Sequence, residues 1–143
     1  MENLSLPRPH ERLDVWRDAM LLVEAVYRAT SRFPVEERLG LTAQMRRCAV
    51  SVPSNIAEGA ARRSTSEYLR FLSIARGSLS ELSTQLEISR RLGFDEGSAI
   101  DPDLLDRTFA RLNALIRANE RRLREPDDAL PESPIPNPES HAR

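Results

Sequence analysis

The chain has 143 residues, 40% of them hydrophobic and 30% charged, a balance that fits one soluble globular domain with a single core. No run of about 20 apolar residues is present to span a bilayer. The five glycines and the lack of alternating strand-like runs point away from β architecture. Net charge is −1, but all 21 basic residues are arginine. Genome composition is the plainer and favoured account of that; a preference for planar phosphate and carboxylate partners is the sharper one. The charge is also uneven: residues 11–124 carry 19 arginines against 16 acids, and residues 125–143 carry one against five.

Met1 to His10 contains Pro7 and Pro9, and residues 1–11 read as a flexible lead-in without a secretory pattern. The bundle is expected over residues 12–124. A first helix is predicted from Leu13 to Arg32, with Ala19, Leu22, Val23, Val26 and Phe33 at three- and four-residue steps. Trp16, Met20 and Tyr27 widen its apolar face. Asp14 and Asp18 near the start and Arg28 and Arg32 near the end suit the helix dipole, and Pro34 stops the helix.

The second helix is predicted from Leu39 to Ala61, with Leu41, Met45, Ala49, Val52 and Ile56 as its buried stripe. Pro53 lies inside it. A proline has no N–H for the carbonyl four residues back, so the Ala49 carbonyl should be freed and the helix kinked. Arg47, Ser51, Ser54, Asn55, Glu58 and Arg62 share a different face, with Glu58 and Arg62 a favourable i,i+4 pair. Three readings of this polar strip stand side by side. It is a solvated face with serines bonding back to the helix, a contact with another subunit through Asn55 and Glu58, or a ligand surface using Arg46, Arg47, Arg62 and Arg63.

The third helix opens at Ser64 with a capping box to Glu67. Tyr68, Leu72, Ala75, Leu79, Leu82 and Leu86 then form a heptad-like seam, and Gly93 ends the helix. Beside the seam, Glu81 and Gln85 are placed to approach the arginines of the second helix, unless that face is simply wet. The fourth helix starts at Asp101 with Pro102 in its first position, and Leu105, Phe109, Leu112, Leu115, Ile116 and Leu123 carry its apolar face. Residues 125–143 are acidic and proline-rich and are expected to be a disordered tail. Four helices with short connections make an all-α, antiparallel up-down four-helix bundle.

The inventory for catalysis is poor. His10 and His141 fall in the expected loose ends, and Cys48 has no evident partner and reads as a small apolar residue. A single cysteine forms no internal disulfide, which fits a reducing cytoplasm. No His/Cys spacing for a metal and no glycine-rich phosphate loop occurs, so no metal, cofactor or catalytic residue is expected.

The stretch GLTAQMRRCAVSVPSNIAEGAARRS, followed by EYLRFLSIARGSLSELSTQLEISRRLG, resembles the family of proteins named after intervening sequences in 23S ribosomal RNA. LDVWRDAMLLVEAVYRATSRFP resembles that family's first helix. The resemblance covers Leu13 to Gly93 and is most specific in SVPSNIAEG; the acidic tail departs from it. It implies a homopentameric four-helix bundle and no enzyme. It also implies kinship with accessory proteins of diversity-generating retroelements, which bind a reverse transcriptase and nucleic acid through a basic pentamer surface. The positions that carry over are Arg46, Arg47, Pro53, Ser54, Asn55, Glu58, Gly59, Arg62 and Arg63. The expected function is therefore a self-associating scaffold that offers an arginine-bearing surface to RNA or an RNA-bound partner. The competing expectation is a structural oligomer with no nucleic-acid partner.

Overall fold

The structure, a computed structural model, describes residues 6–94 and 100–125. Four helices follow in order: α1 (Asp14–Thr30), α2 (Leu41–Ala60), α3 (Thr65–Arg91) and α4 (Pro102–Arg124). Short 3₁₀ turns at Pro9–Arg12 and Val35–Glu37 precede α1 and α2. None of the helices among the described residues is long and apolar enough to cross a membrane.

Local chemistry sets the helix ends. The Ser31 hydroxyl donates to the Arg28 carbonyl at 2.6 Å as α1 closes, and Pro34 follows. The Ser64 hydroxyl accepts the Glu67 N–H at 3.1 Å. The Glu67 carboxylate accepts from Arg70 Nε at 3.1 Å and not from the Ser64 N–H, so only half of the expected capping box forms. At the end of α3, Gly93 sits at φ +78°, the left-handed region that favours glycine. Phe94 N–H then reaches the Ser89 carbonyl at 2.9 Å and Gly93 N–H the Arg90 carbonyl at 3.1 Å, the Schellman pattern. Phe94 is thereby brought against Phe33, with ring centroids 5.6 Å apart. Asp101 caps α4 by accepting the Asp103 N–H at 2.9 Å, with Pro102 in the first turn.

Partner numbers fall along one helix as they rise along the next. Cys48 meets Glu81 and Ser51 meets Ser78, so α2 and α3 are antiparallel. Thr30 meets Arg46 while Trp16 and Met20 share a groove with Pro53 and Ala57, so α1 and α2 are antiparallel too. The same holds for α3 and α4, where Arg76 meets Asn113 and Glu87 lies beside Pro102. The core is the apolar stripe of each helix. Met45, Val52 and Ile56 of α2 and Leu72, Leu79 and Leu82 of α3 are fully buried, each side chain stabilising the fold by roughly 1.5–3 kcal/mol.

One carboxylate is buried with the apolar residues. Asp18 is 4% exposed and accepts from Arg107 Nη2 at 3.1 Å and Arg111 Nη1 at 2.7 Å. The sequence expectation gave Asp18 to the helix dipole; it instead ties α4 to α1. Its hydrogen bond and charge raise the Arg107 pKa above the ordinary arginine value.

Two expectations need correction, and a third falls almost wholly outside the described residues. Residues 9–12 are not loose: Pro9 starts a 3₁₀ turn, the Glu11 carboxylate accepts the Arg8 N–H at 3.3 Å, and the His10 ring lies 4.9 Å from that of Trp16. Met20 and Tyr27 are 41% and 43% exposed, because the apolar arc of α1 is wider than the faces its neighbours cover, and Leu123 is 49% exposed in the last turn of α4 although it shares a face with buried Leu112, Ile116 and Asn119. The expected tail falls at residues 126–143, outside the described residues, apart from its first member Glu125.

Candidate interaction surface

The α2 helix runs unbroken through Pro53 from Leu41 to Ala60. Two polar side chains after the proline explain how. Pro53 offers no N–H to the Ala49 carbonyl, and the ladder around it is weakened. The Ser54 hydroxyl donates to the Val50 carbonyl at 2.7 Å, and Asn55 Nδ2 donates to the Ser51 carbonyl at 2.8 Å. These bonds add donors on the two carbonyls that follow the missing one.

The polar strip is not a bare hydrophilic edge. Ser51 Oγ and Ser78 Oγ lie 2.7 Å apart across the α2–α3 seam, and Asn55 Nδ2 also donates to Ser51 Oγ at 2.9 Å. Ser51 and Asn55 are therefore half-buried against the same chain. One turn on, buried Gly59 lets the two helices close: a Cβ there would stand 2.8 Å from Phe71 Cβ and 3.2 Å from the Tyr68 carbonyl oxygen. Glu58 is exposed and accepts from Arg62 at 2.6 Å.

Glu81 and Gln85 share a groove with Arg47, as expected, but bond no arginine there; they meet Cys48. The thiol donates to Glu81 Oε2 at 2.6 Å, and Gln85 Nε2 donates to Cys48 Sγ at 3.5 Å. Cys48 is thus a hydrogen-bonded thiol and not merely a small apolar filler. Burial, followed by the bond to Glu81, pushes its pKa up to about 11, so it stays protonated and a poor nucleophile at neutral pH. Gln44, Arg47 and Thr84 complete this groove of about 470 Å³.

The four candidate arginines are not brought together. Arg46 and Arg47 lie roughly 24 Å along the axis from Arg62 and Arg63, at about 1.5 Å per residue. Arg46 is committed: its Nε donates to Thr30 Oγ1 at 2.9 Å and its guanidinium sits 4.5 Å from the centre of the Tyr27 ring. Arg62 pairs with Glu58 and lies 4.8 Å over Phe71, which Arg70 also covers at 4.5 Å. Arg47 and Arg63 are exposed with no hydrogen bond or ion pair to a described residue.

The surface that sequence reasoning missed is apolar. Trp16, Met20 and Val23 of α1 and Val50, Pro53 and Ala57 of α2 line a shallow groove of about 400 Å³, with His10 and Ser54 at its rim. Met20 and Val50 are each 41% exposed. The signal was present in α1, where apolar residues at 15, 16, 19, 20, 22, 23, 26 and 27 span more than one neighbour can cover.

This helical arrangement and its SVPSNIAEG segment agree with a family model: that of the 23S rRNA-intervening sequence protein matches residues 11–110. The chain belongs to that family. No curated protein matches the sequence. The 23S rRNA-intervening sequence match takes in α1, α2, α3 and the first part of α4, and so every candidate residue from Arg46 to Gln85. Among the described residues there is no group of three His, Cys, Asp or Glu arranged to hold a metal ion.

Proposed function

We propose that this protein is a non-enzymatic helical scaffold that self-associates, as a homopentamer, and presents an arginine-bearing surface to RNA or to an RNA-bound partner such as a reverse transcriptase. The observation that carries the self-association is the apolar strip along α1 and α2. Met20 and Val50 expose apolar surface beside Trp16, Val23 and Pro53, and a contiguous apolar patch of this kind favours burial against protein. Closed rings form when a head-to-tail contact repeats around an axis, and each added copy brings its arginines into one field. A single copy is a weak trap, since residues 40–94 hold eight arginines against four acids. Light scattering tests the reading. The wild-type protein is expected at five times its 16.2 kDa chain mass, and Met20→Glu with Val50→Glu at one times that mass with helicity retained. A wild-type monomer over the micromolar range refutes it.

A further inference from the structure

Among the described residues, more of the arginines without a side-chain hydrogen bond or ion pair lie at one end of the bundle, Arg12, Arg63, Arg117, Arg121, Arg122 and Arg124, than at the other, Arg28, Arg38 and Arg47. Antiparallel packing puts the start of α1, the α2–α3 turn and the end of α4 at the same end. Arg76 of α3 donates to Asn113 of α4 at 3.3 Å, and Leu13–Val15 share a groove with Arg111, Ala114 and Leu115. The segments 8–17, 58–70 and 117–125 that build this end hold ten arginines against six acids. The segments 24–47, 81–91 and 101–111 towards the other end hold nine against eight.

We propose that this end, centred on Arg117, Arg121 and Arg124 and with Arg63 and Arg122 at the same end of the bundle, takes up the phosphate backbone of RNA; this rests on the RNA-binding reading above. All five are exposed, and none makes an ion pair or side-chain hydrogen bond with a described residue. Arg117, Arg121 and Arg124 stand at i, i+4 and i+7 on the solvent side of α4, opposite buried Leu112 and Asn119. Like charges so spaced repel by a few tenths of a kcal/mol per pair. The helix dipole favours cations only in the last turn, so it accounts for Arg121 and Arg124 better than for Arg117. The stripe carries three arginines against one acid on the same face, Glu120, so a polyanion laid along it meets net positive charge. Its guanidiniums step along the helix by about 6 and 4.5 Å of rise, and bidentate arginine suits successive phosphates. Only Leu123 adds a large exposed apolar side chain on α4 here, which favours a phosphate backbone over a protein partner. At the other end, the segments that hold Arg28, Arg38 and Arg47 also hold Glu36, Glu37 and Asp103, so a polyanion meets less net positive charge there.

The test is fluorescence anisotropy of a labelled single-stranded RNA of mixed sequence, from 50 to 200 mM salt, with the full-length protein. Arg117→Glu/Arg121→Glu/Arg124→Glu is compared with Arg28→Glu/Arg38→Glu/Arg47→Glu, which changes net charge equally. The first is expected to lose at least about tenfold in affinity and to flatten the slope of log K against log salt by about two, near 0.7 per phosphate contact. The second is expected to lose less than about threefold. Should charge reversal disturb the helix, Arg→Gln at the same three positions keeps the comparison, with a loss still larger than at the other end. Equal losses from both ends, with wild-type binding intact, overturn this location while leaving RNA binding standing. No salt-dependent RNA binding by the wild type at 50 mM overturns both, as does binding to anionic lipid vesicles in place of RNA.

Discussion

Gly59→Ala sets two known effects against each other at one atom. On helix propensity alone the change should stabilise α2 by roughly 1 kcal/mol, because alanine loses less backbone entropy than glycine. The new methyl, however, would lie 2.8 Å from Phe71 Cβ, 3.0 Å from Tyr68 Cδ1 and 3.2 Å from the Tyr68 carbonyl oxygen. Two of these are backbone or backbone-anchored atoms that no rotamer change moves away. Ordinary contact begins near 3.4 Å, so α2 and α3 must separate by about half an ångström, and overpacking of that kind costs about 1–3 kcal/mol. It also stretches the Ser51–Ser78 contact on the same seam. The packing term wins, and a net loss of up to about 2 kcal/mol is expected. Gly77 is the internal control, since a Cβ there meets nothing within 4 Å and its site is exposed. Gly77→Ala should gain about 0.5–1 kcal/mol. Urea unfolding followed by circular dichroism, at one fixed protein concentration, reads both as shifts of the midpoint at constant slope. If the two variants move in the same direction, the close approach at Gly59 does not govern the seam.

Asp18→Ala should cost about 2–3 kcal/mol by removing the buried acceptor of Arg107 and Arg111, both of which still reach water; a urea midpoint within error of wild type would show the clamp to be idle. Cys48 holds its proton in the fold up to about 11, while the unfolded thiol loses it near its ordinary value of 9. Its contribution is thus complete below pH 9 and lost as pH rises towards 11, so wild type should fall relative to Cys48→Ala across that window. At pH 8 the native thiol should react with iodoacetamide at least about tenfold slower than a free cysteine, and an equal rate would refute the assignment. Pro53→Ala restores a donor to the Ala49 carbonyl, worth up to roughly 3 kcal/mol, and removes ring burial worth about 1.5 kcal/mol. A rise of about 1 kcal/mol is expected, and a fall in midpoint would mean that the ring's packing outweighs the backbone gain.

The contrast between what was legible in the sequence and what was not follows from range. The stripes Met45–Ala49–Val52–Ile56 and Leu72–Ala75–Leu79–Leu82 are set by spacing within a helix, and they are buried as read. Asp101–Pro102 and Gly93 act through their own neighbours, and they end helices as read. Asp18 was misplaced because its partners lie 89 and 93 residues away, a matter of register between helices. The same holds for Cys48 with Glu81, and for Arg46, whose charge is absorbed by Thr30 and Tyr27 of α1. A helical wheel shows which residues share a face, but the strip from Ser51 to Asn55 faces α3 only because Ser78 arrives opposite it.

The turn between α2 and α3 is four residues long, Ala61 to Ser64, yet it joins the most extensive seam in the bundle. Closing so short a loop costs little chain entropy, and contacts near in sequence form quickly. This hairpin is therefore expected to nucleate folding, with α1 and α4 docking afterwards. In a stopped-flow chevron, Leu82→Ala should mainly slow refolding, whereas Leu112→Ala on α4 should mainly hasten unfolding. The reverse pattern would place the nucleus elsewhere. A growing chain would then hold its central hairpin ready before the last helix has been made.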